Sequence, residues 1–126
     1  GEQAEGQQAD RESSAAARVV KLEAQPGRPI ARDGVEIKTV RPRFTTLTRI
    51  TTTTPDKNPI ARVTFGRDGK VMDARLVRGV GRSDIDGPLL DALYRWTAEG
   101  ERFKALPVRA DGSVVTYEFT INFGGR

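Results

Sequence analysis

Asp84 and Asp86 are the nearest this chain comes to an acid–base pair. They precede Pro88 and an apolar stripe, where carboxylates serve as helix caps and complement the helix dipole. Histidine is the commonest general base and metal ligand, and the chain has none. It also has no cysteine. That removes thiolate nucleophiles, disulfides and Cys-based zinc sites. Serines and threonines are plentiful, but no base is available to activate one. Gly79-Val80-Gly81 has two glycines of a phosphate loop, without the later glycine or the Lys-Ser/Thr pair. Arg75, Arg78 and Arg82 make a small basic group without interleaved aromatics to stack bases. The expectation is therefore a non-enzyme with no metal, no cofactor and no nucleic-acid partner.

What remains is the chemistry of the main chain. Ser113 to Phe123 has the cleanest alternation in the sequence. Val115, Tyr117, Phe119, Ile121 and Phe123 fall on one face, as a core-facing strand requires. Val114, Thr116, Glu118, Thr120 and Asn122 fall on the other. If its edge is open, this strand accepts a partner strand through main-chain hydrogen bonds, each worth about 1 kcal/mol net. No proline or inward charge defends it. These five residues are the expected partner-binding line. Val19 to Ala24 or Val35 to Val40 could instead cover the edge and close it.

The elements that position this strand are legible upstream. Ile60 to Phe65 puts Ala61, Val63 and Phe65 on one face. Asp68-Gly69 follows, a two-residue hairpin signal for a type I′ turn. Val71 to Arg78 is the returning strand, with Met72, Ala74 and Leu76 sharing a face. Ile85, Leu89, Leu93 and Trp96 then recur at helical spacing, widened by Leu90 and Ala92. Trp96 reads as core, and Gly100 as the helix terminator. Asp111-Gly112 marks the turn into the last strand. A right-handed crossover seats that strand beside the first and antiparallel to it. The expected fold is α+β. Its antiparallel three-stranded sheet has the order second, first, third, with one main helix on one face.

Upstream the signals are shorter. Val19 to Ala24 reads as a short strand and Gln25 to Pro29 as a turn. Val35 to Val40 alternates and reads as extended, ended by Pro42. Phe44, Leu47 and Ile50 favour a short helix within Phe44–Thr54, against the strand preference of its threonines. Residues 1–18 contain no large apolar side chain and read as a disordered tail. Residues 19–126 make one domain, with a core over 59–123 and an extension over 19–58.

Composition fits that division. At 126 residues the chain is long enough for one domain and too short for two, and a hydrophobic content of 37% is low for a compact domain, as an unfolded tail implies. There are 21 basic against 17 acidic residues, a net charge of +4 that reads as a mixed solvated surface. No apolar run approaches the roughly 18 residues of a membrane span. A chain that opens on Gly1 reads as a piece of a longer protein, with any anchor upstream.

In order and spacing, these pieces resemble the C-terminal domain of TonB-type energy transducers. The matching residues are the strand ending at Phe65, Asp68-Gly69-Lys70-Val71, Val77, Gly81, Asp86, Leu90, Ala92, Leu93, Trp96 and a last strand ending at Phe123. Upstream, Arg41-Pro42-Arg43-Phe44 stands where the family has a Tyr-Pro dipeptide and a helix. The resemblance implies a periplasmic, non-enzymatic protein-binding module, tethered to the inner membrane in the full-length protein. It implies a partner peptide from an outer-membrane transporter, added as a strand beside Val114 to Asn122. The alternative is a structural or scaffolding envelope module that self-associates as a homodimer.

Overall fold

The computed structural model describes residues 19–44 and 58–123. The tail expected over 1–18 and all but the first residue of the short helix expected over Phe44–Thr54 lie outside them. In chain order the elements are β1 (Val19–Ala24), β2 (Ile30–Arg32), β3 (Val35–Lys38), β4 (Ile60–Gly66) and β5 (Val71–Arg78). There follow α1 (Ser83–Leu93), β6 (Thr97–Glu99), α2 (Glu101–Lys104) and β7 (Ser113–Ile121). The fold is α+β.

The main sheet runs β1-β7-β4-β5. The expected three-strand order is present within it, with β4 antiparallel to both β5 and β7. The sheet nevertheless has four strands, and β7 is not an edge. β1 pairs with it in parallel from Val19 opposite Thr116 to Ala24 opposite Ile121. The reason lies in the alternation of β1. In this register Leu22 stands opposite Phe119 and Ala24 opposite Ile121, and both become buried. Burying a leucine side chain is worth about 1.5–3 kcal/mol, which favours closing the edge over leaving it open.

A second sheet, β2-β3-β6, was not expected. Its hairpin turns at Asp33-Gly34, where both residues have positive φ, 53° and 79°. This is the two-residue turn of the type I′ signature. The expected type I′ turn at Asp68-Gly69 is a different structure. There only Gly69 has positive φ, at 82°. Its N–H donates to the Gly66 carbonyl at 2.9 Å, and the Gly66 N–H donates to the Lys70 carbonyl at 2.9 Å. That is a type I turn followed by a left-handed glycine, the three-residue alternative. Arg109 to Ser113 repeats it. The Gly112 N–H donates to the Arg109 carbonyl, and the Asp111 carboxylate accepts from the Ser113 N–H as Asp68 does from Lys70.

Helix α1 buries Ile85, Leu89, Ala92 and Leu93, the expected stripe, and leaves Asp91 and Arg95 exposed and ion-paired at 2.9 Å. It stops earlier than expected. The Arg95 and Trp96 N–H groups donate to the carbonyls three residues back, and the chain becomes extended at Thr97. Tertiary pairing decides this. Ala98 pairs with Ile37 of β3, and its N–H donates to the Gly69 carbonyl at 2.8 Å. Gly100 thus turns the chain from β6 into α2, where Phe103 is buried, rather than ending α1. Pro88 lies in the second turn of α1, not the first.

Trp96 is core, 1% exposed, though it lies beyond the helix. Its ring meets Phe119 edge-on at 5.1 Å between centroids, and its indole N–H donates to the Val40 carbonyl at 3.2 Å. Ala61, Val63, Phe65 and Phe119 are fully enclosed beneath the helix and the second sheet. At Gly69 the β4–β5 turn lies directly against β6 of the second sheet, and an added Cβ would strike the Ala98 carbonyl oxygen. Gly81 has a similar φ of 89° but open space around it. Gly69→Ala is therefore expected to cost more than the roughly 1–3 kcal/mol of backbone strain alone. Gly81→Ala is expected to cost the strain only. Urea unfolding of the two variants beside the parent checks the difference.

Candidate functional site

The expected partner-binding line lies in the interior of the main sheet. Val114 is buried, Thr116, Glu118 and Thr120 are half-buried, and Asn122 is exposed. Thr116, Glu118 and Thr120 meet cross-strand neighbours on the polar face of the sheet. The hydroxyls of Thr116 and Thr64 are 2.9 Å apart. Arg62 Nε donates to the Glu118 carboxylate at 3.1 Å, and Lys21 Nζ lies 4.0 Å from its other oxygen. Lys21, Glu118, Arg62 and Arg75 are in register and form one row of charges across all four strands. The Asn122 N–H donates to the Ala24 carbonyl at 2.8 Å, which extends the β1–β7 pairing past the last strand residue. The β7 backbone thus has a strand on each side.

The acid and base groups singled out in the sequence are occupied structurally. The N-cap of α1 is Arg82, without a side-chain cap bond. The Asp86 carboxylate instead accepts from the Val80 and Gly81 N–H groups at 2.9 and 3.1 Å, closing the Gly79-Val80-Gly81 loop on itself. The amides of Val80 and Gly81 are thus taken by a side chain of the same segment. Arg82 is bidentate on Asp84 at 2.6 and 3.0 Å. Arg78 donates to the Asn58 carbonyl at 2.7 Å through Nη2. Two of the three arginines of the basic group are therefore engaged. Among the described residues, no cluster of acidic side chains is arranged to hold a metal ion.

The open edges of the main sheet, among the described residues, are the outer sides of β1 and β5. On β5, Met72 and Val77 are about half exposed (48% and 49%), and the pairing with β4 shifts register twice. The Tyr94 hydroxyl donates to the Ala74 carbonyl at 3.2 Å.

A groove of about 590 Å³ opens between β1 and β7 on one side and the β2–β3 hairpin on the other. Val20, Leu22, Val35, Ile37 and Val115 form its apolar lining. Arg32, Asp33, Arg102 and Arg109 also line it, as does Tyr117. Burial pushes the Tyr117 hydroxyl above the usual tyrosine range, and the Asp33 carboxylate adds to the shift. The groove was not foreseen because its walls come from segments far apart in sequence. The Asp33-Gly34 pair was the available signal, since it implied the hairpin that forms one wall.

Among solved structures, the chain is similar to the solution NMR structure of the Pseudomonas aeruginosa TonB C-terminal domain. The TM-score is 0.50 and the identity 13%, over 82% of this chain and 96% of that one. The likeness is one of fold. No protein-family model matches the sequence, and no curated protein matches it.

The Arg62–Glu118 pair is the best-placed ion pair on the polar face. Glu118 is only 15% exposed, against 38% for Arg62. A double-mutant cycle on Arg62→Ala and Glu118→Ala is expected to give a favourable coupling of about 0.5–1 kcal/mol, reduced by salt.

Proposed function

We propose that this domain is a non-enzymatic protein-binding module of a Gram-negative-type cell envelope, working in the periplasm. In this reading an anchor upstream tethers it to the inner membrane, and its partner is an extended segment of an outer-membrane transporter. The fold likeness supports a protein-interaction role. The observation that carries the strand-addition reading is the parallel pairing of β1 on β7. A six-residue strand already uses the main chain of β7 and sets alternate side chains into the core. A partner strand would use the same line, Val114, Thr116, Glu118, Thr120 and Asn122, by taking the place of β1. β1 is then an internal occupant that the partner must displace.

A transporter-derived peptide at millimolar concentration is expected to shift backbone amide signals along Val114 to Asn122. Cross-linking β1 to β7 with Glu23→Cys and Thr120→Cys, which are register partners, is expected to abolish those shifts until the disulfide is reduced. Shifts that persist in the locked form, or that never appear along β7, would remove this line as the site.

A second reading is self-association as a scaffolding homodimer. It is favoured by the eight-residue β5 edge, unpaired among the described residues, with Met72 and Val77 exposed. Sedimentation that rises with concentration and falls back with Met72→Lys is its expected signature. A monomer at every concentration counts against it.

A further inference from the structure

We propose that the groove between the β1–β7 pair and the β2–β3 hairpin binds a small amphiphilic carboxylate, an apolar chain bearing one anionic head. This inference is independent of the strand-addition reading. Three observations carry it. The first is size and lining. About 590 Å³ walled mainly by aliphatic side chains falls within the size range of small-ligand sites, open on one side.

The second is an unsatisfied polar group. Tyr117 is 7% exposed, and among the described residues its hydroxyl has no hydrogen-bond partner. Its ring is fixed by edge contact with Phe65 at 6.0 Å and by Phe119 at 5.7 Å. Tyr117 lines the groove, so a ligand oxygen that reaches its hydroxyl gains a bond that the protein does not make internally. A phenol hydroxyl is protonated at neutral pH in any case and is therefore available as a donor.

The third is charge. Three guanidiniums, from Arg32, Arg102 and Arg109, border the groove against the single carboxylate of Asp33. Arg32 is partly spent on Asp33 at 3.7 Å, and Arg109 reaches Ser113 Oγ at 3.4 Å. Arg102 has no ion pair among the described residues, and its stem packs beside Gly34 of the hairpin. Guanidinium matches a carboxylate in geometry and charge. The Asp33 carboxylate disfavours a doubly charged head more than a singly charged one.

The test titrates the full chain with decanoate, and with decanol as the uncharged control of equal chain length. Affinity is read by calorimetry and location by amide shifts. Decanoate is expected to saturate, to shift the amides of Val20, Val115 and Tyr117, and to bind far more tightly than decanol. Tyr117→Phe keeps the ring contacts and is expected to weaken decanoate roughly tenfold, the scale of a lost hydrogen bond to a charged group. Arg102→Gln, an exposed change that leaves the core untouched, is expected to weaken it similarly. Should Tyr117→Phe fail to fold, Arg102→Gln decides. Equal binding of decanol and decanoate, shifts confined to other surfaces, or affinity unchanged in the variants would overturn the proposal.

Discussion

The structure hinges on where Trp96 sits. The indole leaves the helix that the sequence assigns it to and enters the core at the junction of α1 and β6. There it meets Phe119 of the main sheet and donates to the Val40 carbonyl just beyond β3. One side chain thus ties together the main sheet, the helix exit and the second sheet. An aromatic body with a polar tip suits this place, since the ring fills the core and the N–H satisfies a carbonyl. Directly after Trp96 the chain runs extended, and β3 supplies the strand it pairs with.

The same packing decides the state of β7. It has β4 on one side and β1 on the other, apolar residues on its inner face and a row of cross-strand polar contacts on its outer face. A strand held on both edges is poor as a docking platform and strong as a framework. Yet the strand on its outer side is short, parallel and joined through the turn at Gln25 to Arg28. Parallel pairing is slightly less stable per residue than antiparallel pairing, and β1 is the strand that the proposed partner would displace.

Charge shows the same economy. Asp86, Arg78, Arg82 and Asp84 look like chemistry in a linear reading, but each is engaged in holding a loop or a strand end. Among the described residues, the Tyr117 hydroxyl makes no such bond, and it lines an apolar groove that no single stretch of chain could announce. An aromatic residue on a core face carries no outward sign of whether its hydroxyl finds a partner. Only the assembled neighbours decide that.

Periodicity by itself determined the order of β4, β5, α1 and β7 and the inner faces of β4, α1 and β7, and crossover handedness set β7 antiparallel beside β4. On β5 only Ala74 of the expected face is buried, because Met72 falls at a register shift. The order and those three faces follow from local alternation and helical spacing, which are properties of adjacent residues. The same reasoning recognised the outer strand at Val19–Ala24 and named it as able to cover β7, but could not choose, because pairing depends on residues nearly a hundred positions away. The sequence has four Asp-Gly pairs, of which Asp86-Gly87 lies inside α1 and the other three look alike as turn signals. Yet one makes a two-residue turn and two make a longer bulged turn, since the flanking strands set the geometry. Tertiary structure alone decided that Thr97–Glu99 is a strand, that Trp96 lies past the helix, and that β7 is closed. In each case burial and long-range main-chain pairing outweighed the local preference, because those terms act only once distant segments meet.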